Sequence, residues 1–376
     1  MINTTKLHAT LTAWQARQAA MLYHYSSLDY LKKLHQLVHN FATGVVDPLL
    51  TLAQQQGRDS VITDSRWGTR NTSDNWANNA WPILKDLDAR LAKDIAFRSF
   101  EKYKTTAVNE CLRGIEQFST NWATEEEERE FQNIVSKINL YASRIDSTFE
   151  PRTPHWDDYA FAYEFPSFVV ESPRIPEFKI RTDLTAQSGQ LPPRTGVYIA
   201  ADDPNASLQF AALGSEGLCL RNASTFNEIG LAALAAVGRH SLWFDEKMML
   251  NFARASPKSR SFMEHVHFFG RDEPALAPSA VARYSFTDHP SKWYFVEKVQ
   301  DDFEDASIQR YVPGTSDHII RLASGAKCEE PGFYFSPAGP GSRRFFNTGE
   351  TMPTLGSDYG ETVWQWDPRQ NSNNHD

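Results

Sequence analysis

Glu264-His265-Val266-His267 offers two imidazoles and a carboxylate, groups that ligate zinc or iron, and on a strand both histidines would share one face. No third ligand stands at a recognisable spacing, so the segment reads as ordinary surface beside Phe268 and Phe269. Asp301, Asp302, Glu304 and Asp305 form an acidic run that lacks the alternating ligands and central glycine of a calcium loop. With Asp202 and Asp203 it makes the candidate face for a basic partner. Arg343-Arg344 before Phe345-Phe346 can hold a carboxylate or phosphate in a fork, but pairing with the nearby Glu350, Asp358 or Asp367 is the simpler reading. Trp364 and Trp366 alternate around Gln365, so both indoles fall on one strand face, suited to stacking a sugar or to capping a core. The chain has no G-x-S-x-G elbow, no phosphate-cradling glycine loop and no cysteine in a catalytic context. No catalytic residue, metal or cofactor is expected.

The 376-residue chain is long enough for two or three domains, and 41% hydrophobic with 12% aromatic is enough to bury real cores. The formal charge of −9 is uneven: residues 1–150 hold 17 Lys+Arg against 18 Asp+Glu, the remainder 21 against 29. An acidic second half argues against nucleic acid as a direct ligand, because that needs a basic footprint. Cys111, Cys219 and Cys328 are odd in number and far apart, which fits a reducing compartment better than a disulfide framework. The N-terminus lacks the features of a signal peptide and no apolar run reaches membrane-spanning length, so the expected location is the cytoplasm.

Candidate side chains need elements to hold them. Leu7, Leu11, Trp14 and then Met21 through Phe41 recur at helical spacing, predicting one long helix or two in line. Ser73 or Asp74 can cap a second helix running through Ile83, Leu87 and Leu91 towards Phe118, and Thr124-x-x-Glu127 is a capping box. Glu125 to Glu128 there are explained by the helix dipole. Residues 1–150 therefore read as a helical bundle. Residues 151–190, dense in Pro and aromatics, read as an extended strap on a domain surface. Residues 191–370 read as an α+β domain of mainly antiparallel strands, and 371–376 as a disordered tail. Within that domain, Thr225-x-x-Glu228 can box a helix ending at Gly238, a second helix covers Asp245–Arg254, and Lys292–Glu297 and His318–Leu322 read as strands.

The segment from Cys328 to Asp367 is the densest in the chain in glycine, aromatic and arginine residues and reads as a compact meander. Its Gly332, Tyr334, Pro340 and Phe346 match Gly196, Tyr198, Pro204 and Phe210 without gaps, suggesting a duplicated hairpin unit. Its other marked positions are Gly349, Glu350, Pro353, Asp358, Tyr359 and Gly360.

The runs P-G-F-Y-F-S-P-A, G-S-R-R-F-F-N-T-G-E-T-M-P and G-S-D-Y-G-E-T-V-W-Q-W-D, with P-P-R-T-G-V-Y-I-A-A-D-D-P and S-T-F-N-E-I-G-L-A-A-L upstream, resemble immunity proteins of bacterial polymorphic-toxin and type VI secretion systems, families 71 and 72 in particular. The resemblance covers residues 190–238 and 328–367 and is only compositional over the helical half. It implies a non-enzymatic protein that binds a cognate toxin and occludes its active site. The expected toxin is basic, a nuclease being the leading class; a homodimer is compatible with this reading, and neither nucleic acid nor membrane is an expected ligand. The alternatives are a hydrolase that reverses toxin damage, using a carboxylate among Asp301–Asp305 or Asp358, and a carbohydrate-binding module built on Trp364 and Trp366.

Overall fold

The structure, a computed structural model, describes residues 11–64, 66–98, 100–150, 156–172, 174–213, 218–257, 274–305, 321–336, 342–354 and 363–366. The fold is α+β: an N-terminal helical region followed by small, mainly antiparallel sheets. Its compact units are Met1–Glu304 and Asp305–Asp376, a division different from boundaries at 150 and 190. The cause lies in the packing. The hydroxyl of Tyr23 donates to Val296 O at 2.5 Å and accepts from Val197 N, and Tyr103 and Phe149 pack their rings on Phe210, so helices and sheet share one core.

Helix α1 (Ala13–Tyr25) opens with a capping box between Thr12 and Gln15, and α2 (Leu28–Asn40) is capped by Ser27. The expected long helix is therefore two, broken where Ser26 and Ser27 turn their hydroxyls back onto Tyr23 O and His24 O. A π-helical turn (Phe41–Val46) leads into α3 (Asp47–Gln55), and α4 (Arg58–Ile62) follows Gly57 at φ +63°. In α5 (Ser73–Arg98) the cap comes from elsewhere: Asp59 accepts from Ser73 N, Ser73 Oγ and Asp74 N, while Thr72 Oγ1 accepts from Asn75 N. The helix expected to continue towards Phe118 stops at Arg98, because the connection holds Glu101 and Ala107 at φ +55° and +62°, and α6 (Val108–Ile115) starts afresh. The Thr124 capping box opens α7 (Glu125–Phe149) as expected.

The proline-aromatic stretch is not an extended strap throughout. Asp157 accepts from Ala160 N and starts α8 (Asp158–Glu171), which keeps its helical course through Pro166 because it buries Phe161 and Phe168. Only the part after it is extended, as β1 (Arg174–Gln187).

Strands β2 (Gly196–Ala200), β3 (Gln209–Ala211) and β6 (Lys292–Asp305) join β1 in one sheet of order β1-β6-β2-β3. Between them β4 (Ala223–Phe226) pairs with β5 (Phe286–His289), flanked by α9 (Glu228–Val237), α10 (Glu246–Ala255) and α11 (Ala277–Ala282). Thr225 lies in β4 and does not cap α9; Asn227 does, its Oδ1 accepting from Ile229 N and Gly230 N while its amide donates to Tyr284 O and Phe286 O. The second set of partners, Tyr284 O just before β5 and Phe286 O at its start, makes asparagine the better cap. Gly230 is required there, since a Cβ would stand 2.4 Å from Ser285 O.

The second unit holds β7 (Arg321–Ala323), β8 (Gly332–Phe335), β9 (Arg344–Phe346) and β10 (Val363–Trp366) in the order β7-β10-β8-β9. Counting each sheet's own strands, both run first, fourth, second, third, so the hairpin likeness extends to a whole four-stranded topology. In both, a fully buried tyrosine donates its hydroxyl to the carbonyl four residues back: Tyr198 to Arg194 O at 2.5 Å, Tyr334 to Glu330 O at 2.8 Å. Opposite them stand Phe295 and Trp366, each two residues after a buried tryptophan, Trp293 and Trp364. The gapless match fails at one point. Gly196 pairs with Ala211 but Gly332 pairs with Phe346, a slip of one residue that sends Phe210 and Phe346 to opposite faces.

One buried carboxyl links stability to pH. Burial pushes Asp146 up to about 6, against the opposing hydrogen bonds from Thr106 N and Oγ1. A carboxyl whose folded pKa is raised favours the fold while protonated, and that contribution is lost as pH rises from about 4 through about 6. Asp146→Asn should therefore gain stability relative to the parent over that window, by up to about 3 kcal/mol for a shift near two units. Urea unfolding of both proteins at pH 4 and pH 7 measures it; a constant difference would show that Asp146 does not titrate there.

Candidate protein-docking surface

The Leu-Trp-Phe-Asp run at 242–245 makes the turn between α9 and α10, and its backbone is unusual. Trp243 has φ +75°, a conformation that L side chains other than Asn and Asp rarely adopt. The strain is held by what the indole does: Trp243 is fully buried, and its Nε1 donates to Asp158 Oδ1 at 2.8 Å. Asp158, itself buried, also accepts from Trp14 Nε1 at 2.9 Å and forms an ion pair with Arg239. Two donors from the turn itself and one from α1 thus converge on Asp158 and fix the turn.

Fixing Trp243 inward forces its neighbour outward. Phe244 is 50% exposed, Tyr163 on α8 is 48% exposed with its ring 6.1 Å away, and Met248, in the first turn of α10, is 39% exposed. Tyr159 lies between this surface and the core, 4.7 Å from Tyr163 and edge-on to Trp243 at 5.4 Å, and Trp243 continues inward to Phe226 and Phe286. The Tyr163 hydroxyl donates to Trp243 O, Phe244 N and Asp245 N both donate to Ser241 O, and Asp245 caps α10 by accepting from Met248 N. A shallow groove of about 440 Å³ runs beside Phe244, lined by His240, Ser241, Asp245, Glu246 and Lys247. Burial and nearby Arg17 hold His240 below the usual imidazole range. Aromatic and methionine side chains stand half exposed here, with Asp245, Glu246, Lys247 and His240 at the rim, and make this surface a candidate protein-docking centre.

The positions singled out in the sequence fall elsewhere. Asp202 is exposed but accepts from Ser291 Oγ at 2.6 Å, and Asp203 accepts from Asn205 N and pairs with His289, whose pKa is raised by its bonds to Pro290 O and Asp203. Both tie the β2–β3 connection to the end of β5 and the turn that leads into β6. Asp301, Asp302, Glu304 and Asp305 lie on the last part of β6, where only the backbone is described. The Glu264–His267 segment and Asp358, Tyr359 and Gly360 lie outside the described residues.

In the second unit Trp364 is fully buried, with Nε1 donating to Pro353 O, and Trp366 packs edge-on to Tyr334, so this pair caps a core of Cys328, Tyr334, Phe346 and Met352. No open platform for a sugar is formed by Trp364. Arg343 stacks on Phe333, and Arg344 on Phe346 and Trp364. Gly349, at φ +85°, turns the chain between β9 and Met352, and Glu350 accepts from Asn347 N. Gly332 and Gly196 begin matching strands; a Cβ on Gly196 would meet Phe295 at 2.6 Å.

Among the described residues no group of three or more His, Cys, Asp or Glu could hold a metal ion, and no helix is long and apolar enough to cross a membrane. No family model, curated protein or solved structure matches the chain.

Sequence reasoning missed Tyr163, Phe244 and Met248. The available signal was the aromatic pair directly before the Asp245 cap, where only one of two adjacent large rings can face inward.

Proposed function

We propose that this chain is an immunity protein: it binds a cognate antibacterial toxin and occludes the toxin's active site. The docking centre is the Tyr163, Phe244 and Met248 surface. The observation that supports the reading is the half-exposed Phe244, held outward beside Tyr163 by the strained Trp243 turn, whose own cost of about 1–3 kcal/mol is offset by burial of the Trp243 indole and its bond to Asp158. Asp245 and Glu246 beside it, against the single Lys247, and above all the chain's charge of −9 favour a basic partner such as a nuclease, which they would attract over distance. The resemblance of residues 190–238 and 328–367 to the immunity families supplies the class of partner.

The test is to read the neighbouring open reading frames and co-express this chain with any toxin domain found there. Cells should survive, and the purified pair should comigrate on gel filtration. Death of the cells together with separate elution removes the proposal.

A further inference from the structure

The β2–β3 connection is held by a titratable contact outside the docking surface. His289, the last residue of β5, has its Nδ1 3.0 Å from Pro290 O and its Nε2 3.2 Å from Asp203 Oδ2. A carbonyl oxygen only accepts, and the Asp203 carboxylate already accepts from Asn205 N through its other oxygen at 2.8 Å. Both ring nitrogens therefore have to donate, which only the protonated imidazole does. In the neutral ring, one of the two contacts would set a nitrogen lone pair against an oxygen.

The surrounding groups agree with a cation. The bond to Pro290 O comes first, Asp203 and Asp202 add to it, and together they outweigh partial burial and hold the ring's pKa above the usual imidazole range. Asp288, beside it on β5, acts on Arg221, and Lys292, at the start of β6, holds its ammonium over the Tyr294 ring.

The loop that His289 grips leads to the turn at 242–245. Asn205 Oδ1 accepts from Arg239 Nη2 at 3.2 Å, and Arg239 is the cation paired with Asp158, the acceptor of the Trp243 indole N–H. Two further bonds hold the same loop: Ser291 Oγ donates to Asp202 at 2.6 Å, and Gln15 Nε2 donates to Pro204 O at 3.1 Å.

We propose that His289 is a proton-operated latch: as the imidazolium it holds Asp203 and Asn205 in place to support Arg239, and on losing its proton it releases that support and loosens the turn that presents Phe244. Asp202 and Pro204 keep the loop attached, so the change is local. Because the bound proton favours the closed form, the latch is shut below pH ~6.5 and opens as pH rises through the raised pKa of His289. That its opening weakens partner binding rests on the docking reading; the latch itself does not.

Two-dimensional NMR of the full chain from pH 5 to 9, with the His289 and Trp243 ring signals assigned, tests it. His289 should carry protons on both nitrogens at pH 6 and titrate above ~6.5, and the Trp243 indole N–H should shift with the same midpoint. Asp157 and His240, near the turn, titrate lower, at about 6 and below the usual imidazole range, so a response above pH ~6.5 belongs to His289. Asp203→Asn should lower the His289 midpoint. Asn205→Ala removes the acceptor for Arg239 but spares the latch: His289 should titrate as before, while the Trp243 signal loses its response. His289→Gln, which keeps an N–H donor and no titrating charge, should abolish that response too. Circular dichroism confirms that the variants are folded. A His289 midpoint at or below ~6.5, or one unmoved in Asp203→Asn, overturns the latch. A Trp243 signal that ignores His289, or follows it equally in Asn205→Ala, overturns the link to the turn. No toxin enters these measurements, so a toxin that fails to bind removes the docking reading alone.

Discussion

Toxin capture should weaken by about a hundredfold or more when Tyr163 and Phe244 are both replaced by alanine, with the fold intact. Each is an aromatic side chain of the kind worth about 2 kcal/mol at the centre of an interface, and every 1.4 kcal/mol is a factor of ten. Their rings lie 6.1 Å apart, so the two losses need not add. Because each side chain is about half exposed, little core area is lost, and the melting temperature should change little beside the affinity. Tyr163→Phe separates two roles. It removes the hydroxyl bonded to Trp243 O while keeping the ring, so it should loosen the turn yet retain most of the contact area. Calorimetric titration of the toxin into each variant reads the effect directly. Unaltered affinity in the double alanine variant would place the contact face elsewhere, even if co-expression still protects cells.

Arg144→Met should cost about 3–5 kcal/mol of stability, the largest single loss expected in the helical region. Arg144 is 2% exposed, and its guanidinium reaches Glu164 at 2.8 Å, Glu171 at 2.5 Å and Tyr30 at 3.2 Å, tying α7 to α8 and α2. Tyr25 also donates to Glu164 at 2.7 Å. Removing the cation strands two carboxylates in a partly buried site, where desolvation is no longer offset. The triple variant Arg144→Met, Glu164→Gln, Glu171→Gln should recover much of the loss, because a neutral cluster has no unpaired charge to bury. Urea denaturation of the three proteins checks this. If the single variant lost under 1 kcal/mol, or the triple variant lost as much as the single, the network would not be the strut described.

Some of this was legible one residue type at a time. Thr124 with Glu127, Asp245 before α10 and Gly238 after α9 act over three or four residues, so local spacing identifies them. Thr225 shows the limit of such rules: it has the box spacing to Glu228, but pairing with β5 claims it for a strand, and Asn227 takes the cap because Tyr284 O and Phe286 O also supply acceptors for its amide. The same limit governs α8, where Pro166 and the aromatics looked extended until burial of Phe161 and Phe168 supplied the stabilisation that propensity lacks.

The amino-acid sequence by itself determined the α+β class, the main helices, the charge asymmetry and the paired Gly-x-Tyr hairpins, because periodicity, caps and turns are short-range properties. Tertiary structure alone decided the one-residue slip between Phe210 and Phe346, the inward turn of Trp243 and the exposure of Phe244. Each of these is fixed by a partner far along the chain: a strand register, a buried Asp158 reached from α1 and from the α9–α10 turn, and a core with room for only one of two adjacent rings.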